Sequence, residues 1–70
     1  MTVTYLVETW RNQPYKEVLE DTFEYAKDAI DFAKATANLQ GVEKTKVFEL
    51  KVEDKGLYTR ETLEKIKEFC

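Results

Sequence analysis

The residues of this chain that could do chemistry are two pairs of adjacent carboxylates, Glu20-Asp21 and Glu53-Asp54, and a lone thiol at Cys70. Paired acids can serve as general acid and base when their surroundings push their pKa values apart. A thiol becomes a nucleophile when a base or a positive pocket yields the thiolate. The chain supplies no such helper: it contains no histidine and no serine, so the commonest general base and transition-metal ligand is missing. Adjacent acids in a small, highly charged protein are by default solvated surface. No loop sets oxygen ligands at alternating positions around a central glycine, as a calcium site requires. Gly41 and Gly56 stand alone, which leaves no phosphate-cradling loop. The residue types argue against an enzyme and imply no cofactor and no metal.

Seventy residues make one domain spanning 1–70, because a chain of this size buries only about 60% of its unfolded surface and cannot support two cores. Aromatic and branched apolar residues recur throughout, which favours a folded domain over a disordered tail. One cysteine cannot form an intrachain disulfide, so a disulfide-stapled secreted scaffold is excluded. Met1-Thr2-Val3-Thr4 lacks the basic stretch and apolar run of a secretory signal, and no stretch is long enough to span a membrane. The expected setting is the cytoplasm. The net charge of −3 is uneven: residues 1–31 hold 3 basic and 7 acidic side chains, residues 32–70 hold 8 and 7. No basic cluster of the kind that neutralises phosphates is visible, so direct nucleic-acid binding is disfavoured.

The elements that must position these residues follow from periodicity. Val3 to Trp10 alternates as a strand with apolar side chains on both faces: Val3, Tyr5 and Val7 on one, Leu6 and Trp10 on the other. Arg11-Asn12-Gln13-Pro14 is a turn, and Tyr15 to Thr22 returns as an edge strand, since Pro14 lacks an amide donor and charges surround Val18. From Phe23 to Gln40 the period becomes helical, with Ala26, Ala29, Ile30, Ala33 and Ala37 on one stripe and Gly41 as the stop. Thr45 to Glu53 alternates again, with Phe48, Leu50 and Val52 on the face expected to meet Val3, Tyr5 and Val7. After a turn at Asp54-Lys55-Gly56, Thr59 reads as an N-cap with Tyr58 and Leu63 as a hydrophobic staple. A last helix along Leu63, Ile66 and Phe69 follows. The expected fold is α+β, ββαβα, a three-stranded antiparallel sheet of order 2-1-3 with helices packed on one face.

Two surfaces then qualify as binding sites. The first is the sheet face left open, centred on Leu6, Trp10 and Val47 and rimmed by Glu8, Arg11 and Glu49. An apolar centre with a charged edge suits a protein partner, and Trp is enriched at binding hot spots. The second is an acidic side formed by Glu24, Asp28 and Asp31 along the helix with Glu20 and Asp21 on the adjoining strand. Such a row of carboxylates can imitate nucleic-acid phosphates, although acids near a helix start also complement its dipole.

The stretch Phe23-Glu24-Tyr25-Ala26-Lys27-Asp28-Ala29-Ile30-Asp31-Phe32-Ala33-Lys34, followed by Lys46-Val47-Phe48-Glu49-Leu50, resembles small accessory and inhibitor proteins encoded by bacteriophages. The resemblance implies a role in the host cytoplasm, in host takeover or in blocking a host defence, exerted by occupying the surface of a host protein. It carries over no functional residue, since the matched positions are structural. The expectation is a non-enzymatic protein-binding module acting on a host or cellular protein. A homodimeric accessory subunit using the same sheet face is the alternative, and an acidic nucleic-acid mimic ranks behind it.

Overall fold

The computed structural model describes every residue from Met1 to Cys70. The elements run β1 (Thr2–Arg11), β2 (Glu17–Phe23), α1 (Ala26–Ala37), β3 (Val42–Asp54) and β4 (Thr59–Phe69). They form one four-stranded sheet of order β2-β1-β3-β4, antiparallel at each junction, with the single helix on one face. The fold is α+β, and β2, β1 and β3 take the expected neighbour order. The sheet has four strands rather than three because Thr59–Phe69 is a strand, not a second helix.

The reason lies in β3. Its 13 residues pair with β1 along one edge only, and the backbone donors and acceptors along the other edge would be left unpaired without another strand. Pairing β4 against that edge, from Asp54↔Thr59 to Thr45↔Phe69, satisfies them. That demand overrides the helix-forming preference of Glu, Leu and Lys in this segment. The connecting turn is built for the reversal: the Gly56 amide donates to Asp54 Oδ1 at 2.9 Å and the Lys55 amide to the Tyr58 carbonyl at 2.9 Å. Gly56 has φ +88°, in the region that suits glycine.

Helix α1 is shorter than its sequence pattern suggests. Phe23 is spent on closing β2 opposite Tyr5, and the helix ends at Ala37 with Asn38 as its C-cap. The Asn38 side-chain amide donates back to the Lys34 carbonyl at 3.3 Å. Gly41 serves the chain reversal three residues later. Its φ is +87°, and a Cβ there would stand 3.2 Å from the Gln13 carbonyl oxygen.

The core is small and lies where the helix touches the sheet. Ala29 and Ala33 of α1 meet Val7 and Val47, all four fully buried. Tyr5, Phe23, Ile30, Phe32 and Phe69 pack around them, with the rings of Phe23 and Phe32 5.2 Å apart and tilted by 45°. The pairs Val7↔Val47 and Thr9↔Thr45 define the helix-facing side, because directly opposed residues of antiparallel strands share a face. Phe48, Leu50 and Val52 oppose Leu6, Thr4 and Thr2 and so belong to the other face. The expectation that they pack under the helix with Val3, Tyr5 and Val7 is therefore wrong by one residue of register, and such a slip exchanges the faces of a whole strand.

Two buried threonines flank the core and differ in how they are satisfied. The Thr45 hydroxyl donates to the Ala33 carbonyl at 2.9 Å, tying sheet to helix. The Thr9 hydroxyl has no hydrogen-bond partner among the protein's own groups although the residue is only 3% exposed. Valine has nearly the shape of threonine without the polar atom. Thr9→Val should therefore raise the urea midpoint, with a gain of about 1 kcal/mol, whereas Thr45→Val should lower it by about the same amount. Equal losses in the two variants would contradict this assignment.

Candidate functional site

The face opposite α1 is uncovered, since α1 is the only helix and packs on the side of the sheet that carries Val7 and Val47. Cross-strand register brings Leu6 beside Phe48, and Leu50 between Thr4 and Leu63. Val52 extends the line toward the β3–β4 turn. Leu6, Phe48, Leu50 and Val52 are partly exposed, and Leu63 at the outer edge is 55% exposed. The result is an apolar stripe crossing β1, β3 and β4.

One end of this stripe is aromatic and charged. Trp10 lies opposite Val18 of β2 and Lys44 of β3. The Lys44 and Lys46 ammonium groups each stand 4.8 Å from the centre of the Trp10 ring, within cation–π range. The indole N–H donates to Glu8 Oε1 at 3.3 Å. Trp10 is thus held between two cations and a carboxylate, with one edge facing a shallow hollow of ≈ 290 Å³ lined by Arg11, Lys16, Glu17, Val18 and Glu43. Sequence reading missed Lys44 and Lys46. The signal that could have found them is register, since a lysine opposite a tryptophan emerges only when the strands are correctly aligned.

Of the residues expected to form the patch, Leu6, Glu8 and Trp10 share this face, Arg11 lies at its end beside the hollow, and Val47 and Glu49 do not belong to it. Val47 is fully buried under α1, the consequence of its pairing with Val7. Glu49 opposes Tyr5 on the helix side and pairs with Lys51 at 3.2 Å; that hydrogen bond and the carboxylate charge raise the Lys51 pKa above its ordinary value. Arg11 ends β1, bridged to Glu17 at 3.4 Å and donating to the Gln13 carbonyl at 3.4 Å.

The acidic side does not assemble as one row. Glu20 opposes Glu8 and Asp21 opposes Val7, so the two adjacent acids lie on opposite faces of the sheet. Glu24, Asp28 and Asp31 are exposed, but Asp31 is held by Lys27 at 3.0 Å. That hydrogen bond and charge raise the Lys27 pKa. Asp28 in the first turn of α1 complements the helix dipole. The other carboxylate pair is equally structural: Glu53 is bridged to Lys55 at 2.9 Å and Asp54 closes the turn. Cys70 is exposed, and no group of three potential metal-ligating side chains comes together. No helix is long and apolar enough to cross a membrane.

Comparison of the chain with protein-family models, with curated proteins and with solved structures finds no match. The class that can be assigned is the fold itself, α+β with a four-stranded antiparallel sheet, one face under a helix and one face open.

The face assignment can be checked with two identical truncations on one strand. Val47→Ala should lower unfolding stability by about 2 kcal/mol, since it opens a cavity between helix and sheet. Val52→Ala, on the open face and past the helix, should cost about 1 kcal/mol or less. The reverse ranking in denaturant titrations would mean that the strand faces are exchanged.

Proposed function

We propose that this chain is a non-enzymatic protein-binding module that docks through the sheet face opposite α1. The observation that carries this reading is the uncovered apolar stripe of Leu6, Phe48, Leu50 and Leu63, with Trp10 at its end. Clustered apolar side chains on an open face favour association, because covering them removes apolar surface from water. The rim is mixed in charge: Glu8, Glu20, Lys44 and Lys46 surround Trp10, so a partner needs an apolar centre with groups of both signs around it. This mixture disfavours a nucleic-acid ligand, for which a predominantly basic surface is needed. A catalytic role finds little support, since both carboxylate pairs are split or engaged in turns and ion pairs. That the partner is a host protein in an infected cell rests on the resemblance to phage accessory and inhibitor proteins alone.

A double substitution tests the face. Leu6→Asp with Trp10→Ala should abolish capture of a partner while circular dichroism and cooperative unfolding remain those of a folded protein. Glu24→Gln with Asp28→Asn, on the exposed helix side, should leave capture unchanged. Undiminished capture by the first variant, or loss in the second alone, would move the site off the sheet.

A further inference from the structure

The sheet has two edges, and they are not alike. Edge strand β2 carries Glu17, Glu20 and Asp21 and no cation, so pairing it with a copy of itself would bring only negative charges together. Edge strand β4 is longer, with 11 residues, and carries charges of both signs. Apart from Phe69 its residues are exposed, and the backbone hydrogen bonds outside the regular ladders involve none of its outward-facing groups. An exposed strand edge of this length is a template for another strand.

We propose that β4 pairs antiparallel with β4 of a second copy of this chain, about a two-fold axis at Leu63, joining two four-stranded sheets into one continuous sheet. The charge pattern selects this register. Centred on Leu63, each Glu61 faces the partner copy's Lys65, Leu63 faces its own equivalent, and no like charges are opposed. An axis midway between Thr62 and Leu63 is excluded by geometry, since it would oppose residues of different faces: Glu61 and Lys65 lie on the open face, Glu64 and Arg60 on the helix side. Moving it to Glu64 would set that carboxylate against itself. The pairs that could compensate there, Glu61 with Lys67 and Arg60 with Glu68, are separated by the β-bulge, which lies opposite Val47/Phe48. Glu61 opposes Val52 on the open face, whereas Lys67 opposes Val47 on the helix side, so they cannot meet.

A centre at Thr62 would pair Arg60 with Glu64 but leave Leu63 facing Glu61. The Leu63 centre instead covers an exposed leucine and makes the apolar stripes of the two copies continuous. Lys65 already donates to Glu68 at 3.2 Å, and an ammonium group has donors left for a second carboxylate. The bulge limits the matched stretch, which favours a closed pair over an open fibre.

Sedimentation equilibrium with charge exchange provides the test. The unaltered chain should dimerise. Glu61→Lys and Lys65→Glu, each placing like charges across both symmetry-related contacts, should each weaken the dimer by on the order of tenfold or more. The double variant, which restores opposite charges with their positions exchanged, should recover it. Leu6→Asp with Trp10→Ala should leave the dimer intact, which separates this edge from the docking face. In a Cys70→Ser background, oxidised Leu63→Cys should form covalent dimers in higher yield than Thr62→Cys. A chain that stays monomeric at about 1 mM, single reversals without effect, a double variant that fails to recover, or preferential cross-linking at Thr62→Cys would overturn the proposal. So would a dimer abolished by the Leu6 and Trp10 substitutions.

Discussion

Everything in this molecule depends on how closely one helix can sit against two strands. Ala29 and Ala33 present almost no side chain to the sheet, so α1 rests directly on Val7 and Val47, and the Thr45 hydroxyl reaches the Ala33 carbonyl. These few contacts bury the only fully enclosed apolar residues and decide which side of β1 and β3 faces inward. A larger residue at either alanine would lift the helix and open the threonine bond. The core is so small that its geometry, rather than its bulk, does the specifying.

From that contact the division of the sheet follows. A helix of 12 residues is about 18 Å long, while 13 residues of strand reach about 43 Å. The helix cannot cover β3 from end to end, and the molecule is accordingly 45 Å in its longest dimension and 14 Å in its shortest. Over the far half of the β3–β4 hairpin, both faces are in water. Ion pairs such as Glu49 with Lys51 and Glu53 with Lys55 keep the helix-side surface of that hairpin polar, and the apolar side chains gather on the opposite side.

Much of this is legible in the residues, and the misreadings have physical causes. The first hairpin, the alanine-striped helix and the α+β class follow from turn residues and from periods of 2 and 3.6. The faces of β3 do not, because Val47 and Phe48 are adjacent and the longer alternation of Phe48, Leu50 and Val52 looks like a core. What decides the matter is pairing with β1, a long-range contact that local pattern does not encode. Thr59 to Phe69 misleads for a related reason: its spacing of Leu63, Ile66 and Phe69 and its Glu and Lys content are helical, yet β3 offers an unsatisfied backbone edge that only a strand can fill. Leu6, Glu8 and Trp10 were correctly placed on one face because β1 was read correctly. Val47 and Glu49 depend on pairing with β1, whereas the acidic row fails for local reasons: Glu20 and Asp21 are consecutive in a strand and so point to opposite faces, and Asp31 is held by Lys27 within α1.

The reach of β3 past the helix also sets up a gradient along a single strand. Near Thr45 and Val47 its amides lie beneath α1, and exposing them requires the helix to leave, which amounts to unfolding the whole domain. At Glu53 and Asp54 the same strand has outrun β1 and is held by the hairpin alone, and opening there breaks few apolar contacts. One continuous strand therefore spans two thermodynamic regimes: an anchored root whose amide protons exchange only through global unfolding, and a compliant tip that can fray and re-form while the rest stays native.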